Sequence, residues 1–459
     1  MGSHVIDSEL FGNQFSSVEM REVFSLESML KGWIHVEVAL AKAESELGIV
    51  PEKAAQEIER KGRVERFDVP ALKKGIEETW HPLVPFVREY KAMCDDGHGE
   101  YLHWGATTQD IMDTGAVLQT KQALGLIERD LLAIVASLCR MARAHASTIM
   151  PGRTHGQHAL PITFGYKVAV WVSEILRHLE RLDQLKPRVL TGNLSGAVGT
   201  MAFLGEAGPS VQNRVMELLG LNTPEIAWHA SRDRIADVAT FLAMVGATFG
   251  KIAKEIILLQ KTEVAELEEP FAAGKVGSST MPQKRNPMAC EAVFATSTVL
   301  KAQVGLSFDA MLQEHERDMG LWQAEWEFLP EMFMLAGGIL HHMKDILGGL
   351  RIRDGNMAEN LRRSEGLIMA EAVMGKVAEK LGRQRAHDLI YQVAMQSFEK
   401  GESFGEALKN HALIKETIGA SEIGALLEPS SYVGLCEHFV EAVSASAERF
   451  LEGRGDKGA

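Results

Sequence analysis

Apolar residues recur at helical spacing over long stretches of this chain. In one stretch they alternate at steps of three and four positions, through Ile235, Val238, Leu242, Val245, Phe249, Ile252, Ile256 and Leu259. The same alternation runs through Leu124, Ile127, Leu131, Ile134, Leu138 and Met141. This period predicts long helices whose apolar stripes pack into a core, which is a simpler interpretation than a cofactor site.

The positions of proline agree with long helices. The chain has 14 prolines, and none lies between Pro85 and Pro151 or between Pro224 and Pro270. Alternating segments rich in Val, Ile and Thr and bounded by hairpin turns are scarce. We therefore predict an all-α fold with three helical domains, residues 1–106, 107–350 and 351–459, of which the second is a bundle of long helices.

The length of these helices has a consequence for assembly. A stripe from residue 235 to residue 259 would span roughly 37 Å at 1.5 Å per residue. An elongated bundle of such helices exposes an apolar flank unless another subunit covers it. We therefore expect a homo-oligomer.

Composition and charge exclude several classes of protein. The chain has 459 residues, 46% of them hydrophobic, which excludes a disordered protein. Its 48 basic and 62 acidic residues give a net charge of -14, which argues against a non-specific nucleic-acid binder. Any anionic ligand then needs a local basic site.

The cysteines and the apolar runs indicate in which cellular compartment the protein lies. The four cysteines are widely separated, and none belongs to a CxxC pair, so the sequence predicts neither a zinc site nor a disulfide-stapled secreted fold. Apolar runs are too short for a membrane span, and no secretory signal pattern opens the chain. We expect a cytoplasmic protein without a membrane partner.

The richest candidate site is the segment from Gly277 to Pro287, which reads GSSTMPQKRNP. Small residues free the backbone there, and hydroxyls lie beside a glycine. Lys284 and Asn286 add a cation and an amide donor a few residues later. This combination is typical of an oxyanion-binding loop, although an ordinary polar loop explains it equally well.

A second candidate is the segment from Gly152 to His158, GRTHGQH. His155 lies between Thr154 and Gly156 rather than on an apolar face, so it is a candidate for proton transfer near neutral pH. A structural or solvent-exposed histidine is the simpler alternative. A metal pair of His155 and His158 is weaker still, because no carboxylate or cysteine accompanies them at ligand spacing.

Two further segments carry polar groups that a ligand could use. Residues 103–110 place Thr107 and Thr108 ahead of a predicted long helix, where Thr108 or Asp110 could instead be an N-cap. Residues 313–318 carry mixed charges that usually mark a solvated face. Arg317 could nevertheless bind a carboxylate bidentately, and Trp322 and Trp326 could wall a pocket.

Together these motifs resemble the fumarase/aspartase superfamily over nearly the whole chain. The segment 277–287 is similar to its signature loop. The segments 152–157, 195–200, 232–234, 262–264 and 269–271 resemble the branch of adenylosuccinate lyases and 3-carboxy-cis,cis-muconate cycloisomerases. The resemblance implies a helical homotetramer whose active sites each combine three subunits, with a small dicarboxylate as substrate and no metal or organic cofactor.

The resemblance also implies roles for individual residues. Ser278 would be the base that removes a proton next to a carboxylate, and His155 the acid that protonates the leaving group. The other implied substrate-binding residues are His81, Thr107, Thr108, Thr154, Gln157, Lys284, Asn286 and Arg317. A serine is a weak base, so Ser278 would need backbone amides, loop closure or both to stabilise its alkoxide.

The chain departs from both named activities of that branch. Where adenylosuccinate lyases bind phosphate with Arg-Tyr and Ser-Ser-x-Glu-Arg, this chain has Gln14-Phe15 and Trp322-Gln323-Ala324-Glu325-Trp326. Loss of the arginines argues against adenylosuccinate as main substrate. The tryptophans and Trp228-His229 resemble the cycloisomerases, whose pattern lacks histidines at positions 81 and 155.

We therefore favour an elimination that releases fumarate, or a close analogue, from a small N- or O-succinyl compound. The alternatives are 3-carboxymuconate cycloisomerisation, then adenylosuccinate cleavage, and finally a non-catalytic helical scaffold. The intact Ser278, His155, Lys284 and Asn286 argue against the scaffold.

Overall fold

A computed structural model describes residues 4–271, 274 and 278–455 of the chain. Helices dominate these residues, which confirms the predicted all-α class. The helices are α1 (Gly12–Phe15), α2 (Val18–Val23), α3 (Leu26–Glu46), α4 (Glu52–Lys61), α5 (Val69–Thr79), α6 (Val84–Met93), α7 (Thr108–Ala144), α8 (Phe164–Val189), α9 (Gly208–Leu219), α10 (Asp233–Leu259), α11 (Met288–Ala302), α12 (Val304–Asp309), α13 (Met319–Gly348), α14 (Asp354–Arg362), α15 (Ala370–Leu381), α16 (Arg383–Lys400), α17 (Phe404–Asn410), α18 (Ala412–Thr417), α19 (Ala420–Leu426) and α20 (Cys436–Gly455).

Four short strands add two small antiparallel sheets. Strands β1 (Ile149–Thr154) and β2 (Gln157–Thr163) form a hairpin. Strands β3 (Leu267–Glu268) and β4 (Arg351–Ile352) form a second pair. The hairpin contains the segment from Gly152 to His158, so one of the predicted functional segments lies on a sheet rather than in an irregular loop.

The chain divides into two compact units. The first unit comprises residues 1–130, 178–250 and 292–342, and the second comprises residues 131–177, 251–291 and 343–459. Every boundary between them falls inside a helix, namely in α7, α8, α10, α11 or α13. The three-domain division made from the sequence stays a prediction.

The core of the first unit includes aromatic residues around α3 and α6. Phe67 stacks on Phe86 with ring centroids 4.9 Å apart, and Trp33 meets Phe86 edge-on at 5.5 Å. Tyr90 is buried, and its hydroxyl donates to the carbonyl of Ile58 at 2.6 Å. These contacts hold the segment that leads into residues 80–83, where a candidate histidine lies.

In the second unit, α15 to α19 enclose a separate apolar cluster. It includes Val373, Val377, Ile390, Phe404 and Ile414, all of them buried. The long apolar stripe that the sequence places at 235–259 is buried in seven of its eight positions, and Ile235 is half-buried. The interpretation of that stripe as core is therefore confirmed. Within the described residues, no helix is both long and apolar enough to cross a bilayer.

Candidate functional site

In the first unit, Asp110 joins three separate segments of the chain. Its carboxylate lies in the first turn of α7, is fully buried, and accepts the N–H groups of Thr107, Ser195 and Gly196 at 2.9 to 3.0 Å. His229 places its Nε2 atom 2.8 Å from the same carboxylate. Asp110 therefore does more than cap a helix, because it fixes Thr107, the loop at 195–197 and His229 relative to one another.

His81 lies beside Thr108 in the same unit. Its Nδ1 atom accepts the backbone N–H of Val84 at 3.1 Å, so the ring proton is carried by Nε2. The Nε2 atom lies 3.5 Å from the hydroxyl oxygen of Thr108. Burial, and then the charges of His103 and Arg88, hold the pKa of His81 below its ordinary value. His81 is therefore a neutral imidazole that offers one N–H as a donor.

The pKa of His103 is shifted in the opposite direction to that of His81. Its backbone N–H and its Nδ1 atom both face the buried carboxylate of Glu37, at 3.1 and 2.7 Å. Burial by itself lowers the pKa of His103, but the charge and hydrogen bond of Glu37 outweigh it and raise the pKa above its ordinary value. The charge of His103 in turn helps to lower the pKa of His81.

Arg317 reaches the loop that Asp110 holds. Its guanidinium donates to the carbonyl of Ala197 at 2.6 Å. Its Nε atom is buried and has no hydrogen-bond partner among the described residues. The first unit thus brings His81, Thr107 and Thr108 to one end of α7, and the loop at 195–197 connects Arg317 to them.

The tryptophan-rich segment surrounds a buried charge network. Arg232 donates to both oxygens of Asp113, at 2.8 and 3.1 Å, and to both oxygens of Glu325. The indole N–H of Trp322 donates to Asp113 at 2.9 Å. Trp322 and Trp326 line a cavity of about 330 Å³, as the sequence suggested. Glu325, which pairs with Arg232, directly precedes Trp326, the residue that stands where the Ser-Ser-x-Glu-Arg pattern has arginine.

In the second unit, His155 lies at the tip of the β1–β2 hairpin. Thr154 pairs with Gln157, so His155 and Gly156 form a two-residue turn with φ angles of 51° and 76°. Positive φ at both turn residues is the geometry that hairpins favour, and it is uncommon for histidine. Thr154, His155 and Gln157 are all exposed at this tip.

Next to the tip, the hairpin is held by a buried carboxylate. Arg153 donates to both oxygens of Glu266, at 2.6 and 2.8 Å, and Glu266 is fully buried. The side-chain amide of Asn360 donates to Glu266 at 2.7 Å. Bidentate bonds of this kind fix orientation, so the hairpin tip projects from a rigid support.

Ser278 opens the described part of the candidate signature loop, and Gly277 lies outside the described residues. The Ser278 Oγ atom accepts the backbone N–H groups of Thr280 at 3.3 Å and Met281 at 3.1 Å. Two amides thus face the oxygen that the sequence analysis assigns as base. Further along the loop Lys284 is exposed, and its ammonium group has no ion-pair partner among the described residues, while Asn286 is half-buried.

The far end of this loop is tied to the rest of the second unit. Glu269 accepts the N–H groups of Ala289 and Cys290 at the start of α11, at 3.3 and 3.1 Å. Arg285 pairs with Glu268 at 2.5 Å, and its carbonyl accepts the side-chain amide of Gln260 at 3.1 Å. The residues that carry these bonds were not assigned any role from the sequence.

Backbone strain coincides with several of these segments. Eight non-glycine residues of the described chain have positive φ, and they include Trp80, His103, His155 and His315. Each of the four belongs to, or directly precedes, a segment with a predicted site residue. Strained residues of this kind persist where the surroundings fix them, and they cluster at functional sites.

Comparison with known proteins agrees with the resemblance read from the motifs. The family profile described as Lyase matches residues 14–301, and the profile described as Adenylosuccinate lyase C-terminus matches residues 366–443. An N-acetyl-S-(2-succino)cysteine lyase from Enterococcus italicus is 43% identical over 446 residues, which is 97% of this chain and 98% of that protein.

Two further relatives represent the other named activities. An adenylosuccinate lyase from Pyrococcus abyssi is 39% identical over 460 residues, covering 99% of this chain and 100% of that protein. The crystal structure of a 3-carboxy-cis,cis-muconate lactonizing enzyme from Pseudomonas putida superposes with a TM-score of 0.91 at 37% identity, covering 97% of this chain and 100% of that one. The chain therefore belongs to the fumarase/aspartase superfamily of lyases.

Proposed function

We propose that this enzyme eliminates fumarate from a small succinyl compound, and that the atom leaving the succinyl group is the sulfur of an N-acylated cysteine. From the sequence, we predicted nitrogen or oxygen as the leaving atom. A relative that matches almost the whole chain is named for a thioether of succinate, and this supports sulfur. The observation that carries the proposed chemistry is the pair of backbone amides on the Ser278 hydroxyl oxygen.

In the proposed reaction Ser278 acts as the base. As an alkoxide it takes a proton from the succinyl carbon next to a carboxylate, and the electron pair of that C–H bond remains on carbon. The N–H groups of Thr280 and Met281 stabilise the negative oxygen before the proton is transferred. A serine held in this way is a stronger acid than free serine, so its alkoxide is populated more readily.

The intermediate is a carbanion whose charge spreads onto the adjacent carboxylate. Lys284 and Asn286 are proposed to hold that carboxylate, with Thr107, Thr108, Thr154, Gln157 and Arg317 as further donors. These donors face more negative charge in the transition state than in the bound substrate, so they lower the barrier rather than merely increase affinity. His81 joins them as a neutral donor.

The electron pair then forms the double bond of fumarate while the carbon–sulfur bond breaks. His155 is proposed to give a proton to the departing sulfur, which leaves as a thiol. Its exposed position at a rigid hairpin tip supports a role in a site completed by other groups. No metal or organic cofactor takes part in the proposed reaction. The backbone amides stabilise the alkoxide, Lys284 binds the carboxylate, and His155 supplies the proton for the leaving sulfur.

A second candidate is 3-carboxymuconate cycloisomerisation. The aromatic lining around Trp228, Trp322 and Trp326 favours it, and so does the similarity to the lactonizing enzyme. The same carboxylate-stabilised carbanion forms in that reaction. Adenylosuccinate cleavage comes third, because Gln14 and Phe15 replace the cationic pair expected for a phosphate.

One assay distinguishes these functions. Purified enzyme is supplied separately with the succinyl thioether of N-acetylcysteine, 3-carboxymuconate and adenylosuccinate, and the absorbance of each reaction is followed. We expect fumarate from the thioether at a kcat/KM at least a hundredfold above that for adenylosuccinate. Turnover of the muconate alone would refute the proposed elimination.

We further propose a homotetramer whose active sites combine residues of several subunits. Apolar side chains such as Val299, Leu306, Phe308 and Leu312 are about half exposed or more on α11, α12 and the segment after them, and this supports burial by other subunits. Ser278→Ala and His81→Ala proteins, each expected to lose at least about a hundredfold in kcat, are mixed, and letting their subunits exchange should restore part of the activity. No restoration in verified mixed tetramers would argue that each site comes from one chain.

We place the enzyme in the cytoplasm. Cys94, Cys139 and Cys436 form no disulfide within the described residues, and a reducing compartment keeps such thiols reduced. Fluorescence of a tagged copy in its native cell tests this location.

A further inference from the structure

An apolar cavity of about 330 Å³ lies in the first unit. The residues around it include Pro82, Met112, Trp33, Trp228, Trp322 and Trp326. Trp228 and Trp322 are 2% exposed, whereas Trp326 is 39% exposed. The cavity therefore has a buried aromatic floor and an accessible edge at Trp326.

Three of the four charged side chains in its wall are paired with one another. Arg232 is held by Asp113 and Glu325, and the indole N–H of Trp322 also donates to Asp113. The indole N–H of Trp228 donates to the carbonyl of Gly192 at 2.8 Å. Away from Arg234 the interior thus offers apolar surface without an unsatisfied charge, which suits an uncharged apolar group.

Arg234 also lines the cavity, and it is placed differently from Arg232. Its guanidinium carbon lies 5.6 Å from the centroid of the Trp228 ring, and its Nε atom donates to the carbonyl of Arg188 at 3.0 Å. No carboxylate pairs with it among the described residues. Its guanidinium can therefore still bind a carboxylate through the two terminal nitrogens.

The cavity begins close to the predicted reaction centre. Pro82 follows His81 in the chain, and Met112 lies one helical turn after Thr108 on α7. Four residues of helix rise about 6 Å. In an N-acylcysteine thioether the acyl carbon lies about 5 Å from the sulfur when the chain is extended. A sulfur near His81 and Thr108 would thus bring the acyl group to the cavity.

We propose that this cavity binds the acyl group of an N-acylated cysteine and that Arg234 binds the carboxylate of the same cysteine. This inference rests on the proposed elimination of fumarate from a thioether. An acetyl group fills only a small part of 330 Å³, so the enzyme accepts longer acyl chains as well. Each added methylene that becomes buried should raise kcat/KM by about fourfold until the cavity is full.

The first experiment varies the acyl chain. Steady-state kinetics are measured on succinyl thioethers of cysteine that carry a free amine, an N-acetyl, an N-butyryl or an N-hexanoyl group. We expect kcat/KM to be lowest for the free amine and to rise at least tenfold from acetyl to hexanoyl. If fumarate is released at rates that do not depend on the acyl group, the cavity proposal is wrong while the proposed function stands. Absence of fumarate from all four compounds contradicts the proposed function, and the cavity proposal falls with it.

The second experiment narrows the cavity. Ala116 lines it from α7, so Ala116→Leu should bring the hexanoyl-to-acetyl ratio of kcat/KM from above tenfold to about one or below. The ratio is measured within one protein, so a smaller folded fraction cancels. An unchanged ratio in folded Ala116→Leu enzyme contradicts the proposal.

The third experiment tests Arg234 with two matched thioethers. N-acetylcysteamine has the acetamide of N-acetylcysteine but lacks its carboxylate. The ratio of kcat/KM for the N-acetylcysteine thioether to kcat/KM for the N-acetylcysteamine thioether should fall about tenfold in Arg234→Gln. It should fall less in Arg234→Lys, which keeps a positive charge. Arg214→Gln, at an arginine that pairs with Glu46 outside the cavity, is the matched control and should keep the wild-type preference. Equal preference in the Arg234→Gln and Arg214→Gln proteins excludes Arg234 as the carboxylate partner.

Discussion

The Nε2 atom of His81 faces the hydroxyl of Thr108 at 3.5 Å, while the Nδ1 atom of the same ring accepts the backbone N–H of Val84. The ring is therefore fixed as one neutral tautomer with its N–H toward Thr108. His155, by contrast, is exposed at a hairpin tip. The proposed function accordingly gives the two histidines different roles, with His81 as a fixed hydrogen-bond donor and His155 as the group that protonates the leaving sulfur.

A neutral donor at position 81 can be replaced by an amide. We predict that His81→Gln keeps kcat within about tenfold of wild type, whereas His81→Ala loses about a hundredfold. Because burial lowers the pKa of His81, its ring becomes protonated at a lower pH than an ordinary histidine, and that protonation should remove activity. The acidic limb of the pH–kcat/KM profile that His81 causes should disappear in His81→Gln. Equal losses in the two variants would contradict the donor role.

The buried carboxylate of Asp110 should be essential to the loop at 195–197. Asp110→Ala leaves the N–H groups of Thr107, Ser195 and Gly196 without their acceptor, and it leaves His229 unpaired. Removing one partner of such a buried network costs about 3–5 kcal/mol of unfolding free energy. Chemical denaturation measures this loss. Glu225→Ala, at an exposed carboxylate of the first unit, is the control and should change stability by less than about 0.5 kcal/mol.

Glu44 gives a prediction about pH and stability. Its carboxyl group is fully buried without a hydrogen-bond partner among the described residues, and burial, then the charge of Glu37, raise its pKa to about 9. The folded state therefore holds this proton more tightly than the unfolded state. The stabilisation is complete below the unfolded pKa of 4.5 and is lost progressively as pH rises to about 9.

Glu44→Gln removes this dependence, because an amide does not titrate. In wild type, ionisation of Glu44 lowers the unfolding free energy at pH 7 by about 3 kcal/mol relative to its value at low pH. The variant lacks this loss, so its stability should fall less than that of wild type between pH 5 and pH 9. The difference in unfolding free energy between variant and wild type is measured across that range, with Glu225→Gln as control. A difference that does not change with pH would mean that Glu44 titrates normally.

The sequence predicted those elements whose structure depends on the spacing of apolar residues along the chain. The stripe from Ile235 to Leu259 needs only its spacing to specify a buried helix. The β1–β2 hairpin was missed because Pro151, Gly152 and Pro161 interrupt any alternating pattern, and its turn uses histidine at a position where Asn, Asp or Gly is usual.

The residues of the candidate site also divide into those that a local pattern reveals and those that it does not. The segments around Ser278 and His155 carry dense polar motifs, so the sequence located them. The network on Asp110 joins residues that are 85 to 119 positions away from it, and no local pattern reports such contacts. Glu37 was missed for a related reason, since a single carboxylate in a helical pattern gives no sign of its partner.

His155 can be changed without disturbing its turn. Asparagine tolerates positive φ, so His155→Asn should keep the hairpin and its thermal stability while losing the proton donor. A thiol is a better leaving group than an amine, so the loss of kcat should be about tenfold for a succinyl thioether and at least a hundredfold for a succinyl amine. Equal losses for the two substrates would exclude protonation of the leaving atom by His155.

The most direct test concerns Ser278, whose hydroxyl oxygen receives the amides of Thr280 and Met281. Turnover of the succinyl thioether by Ser278→Ala is compared with turnover by Ser279→Ala, with thermal midpoint and oligomeric state measured for both proteins. We predict that Ser278→Ala loses at least about a thousandfold in kcat with unchanged folding and assembly, while Ser279→Ala stays within about tenfold of wild type. A folded Ser278→Ala enzyme that retains near wild-type kcat would show that another group removes the proton.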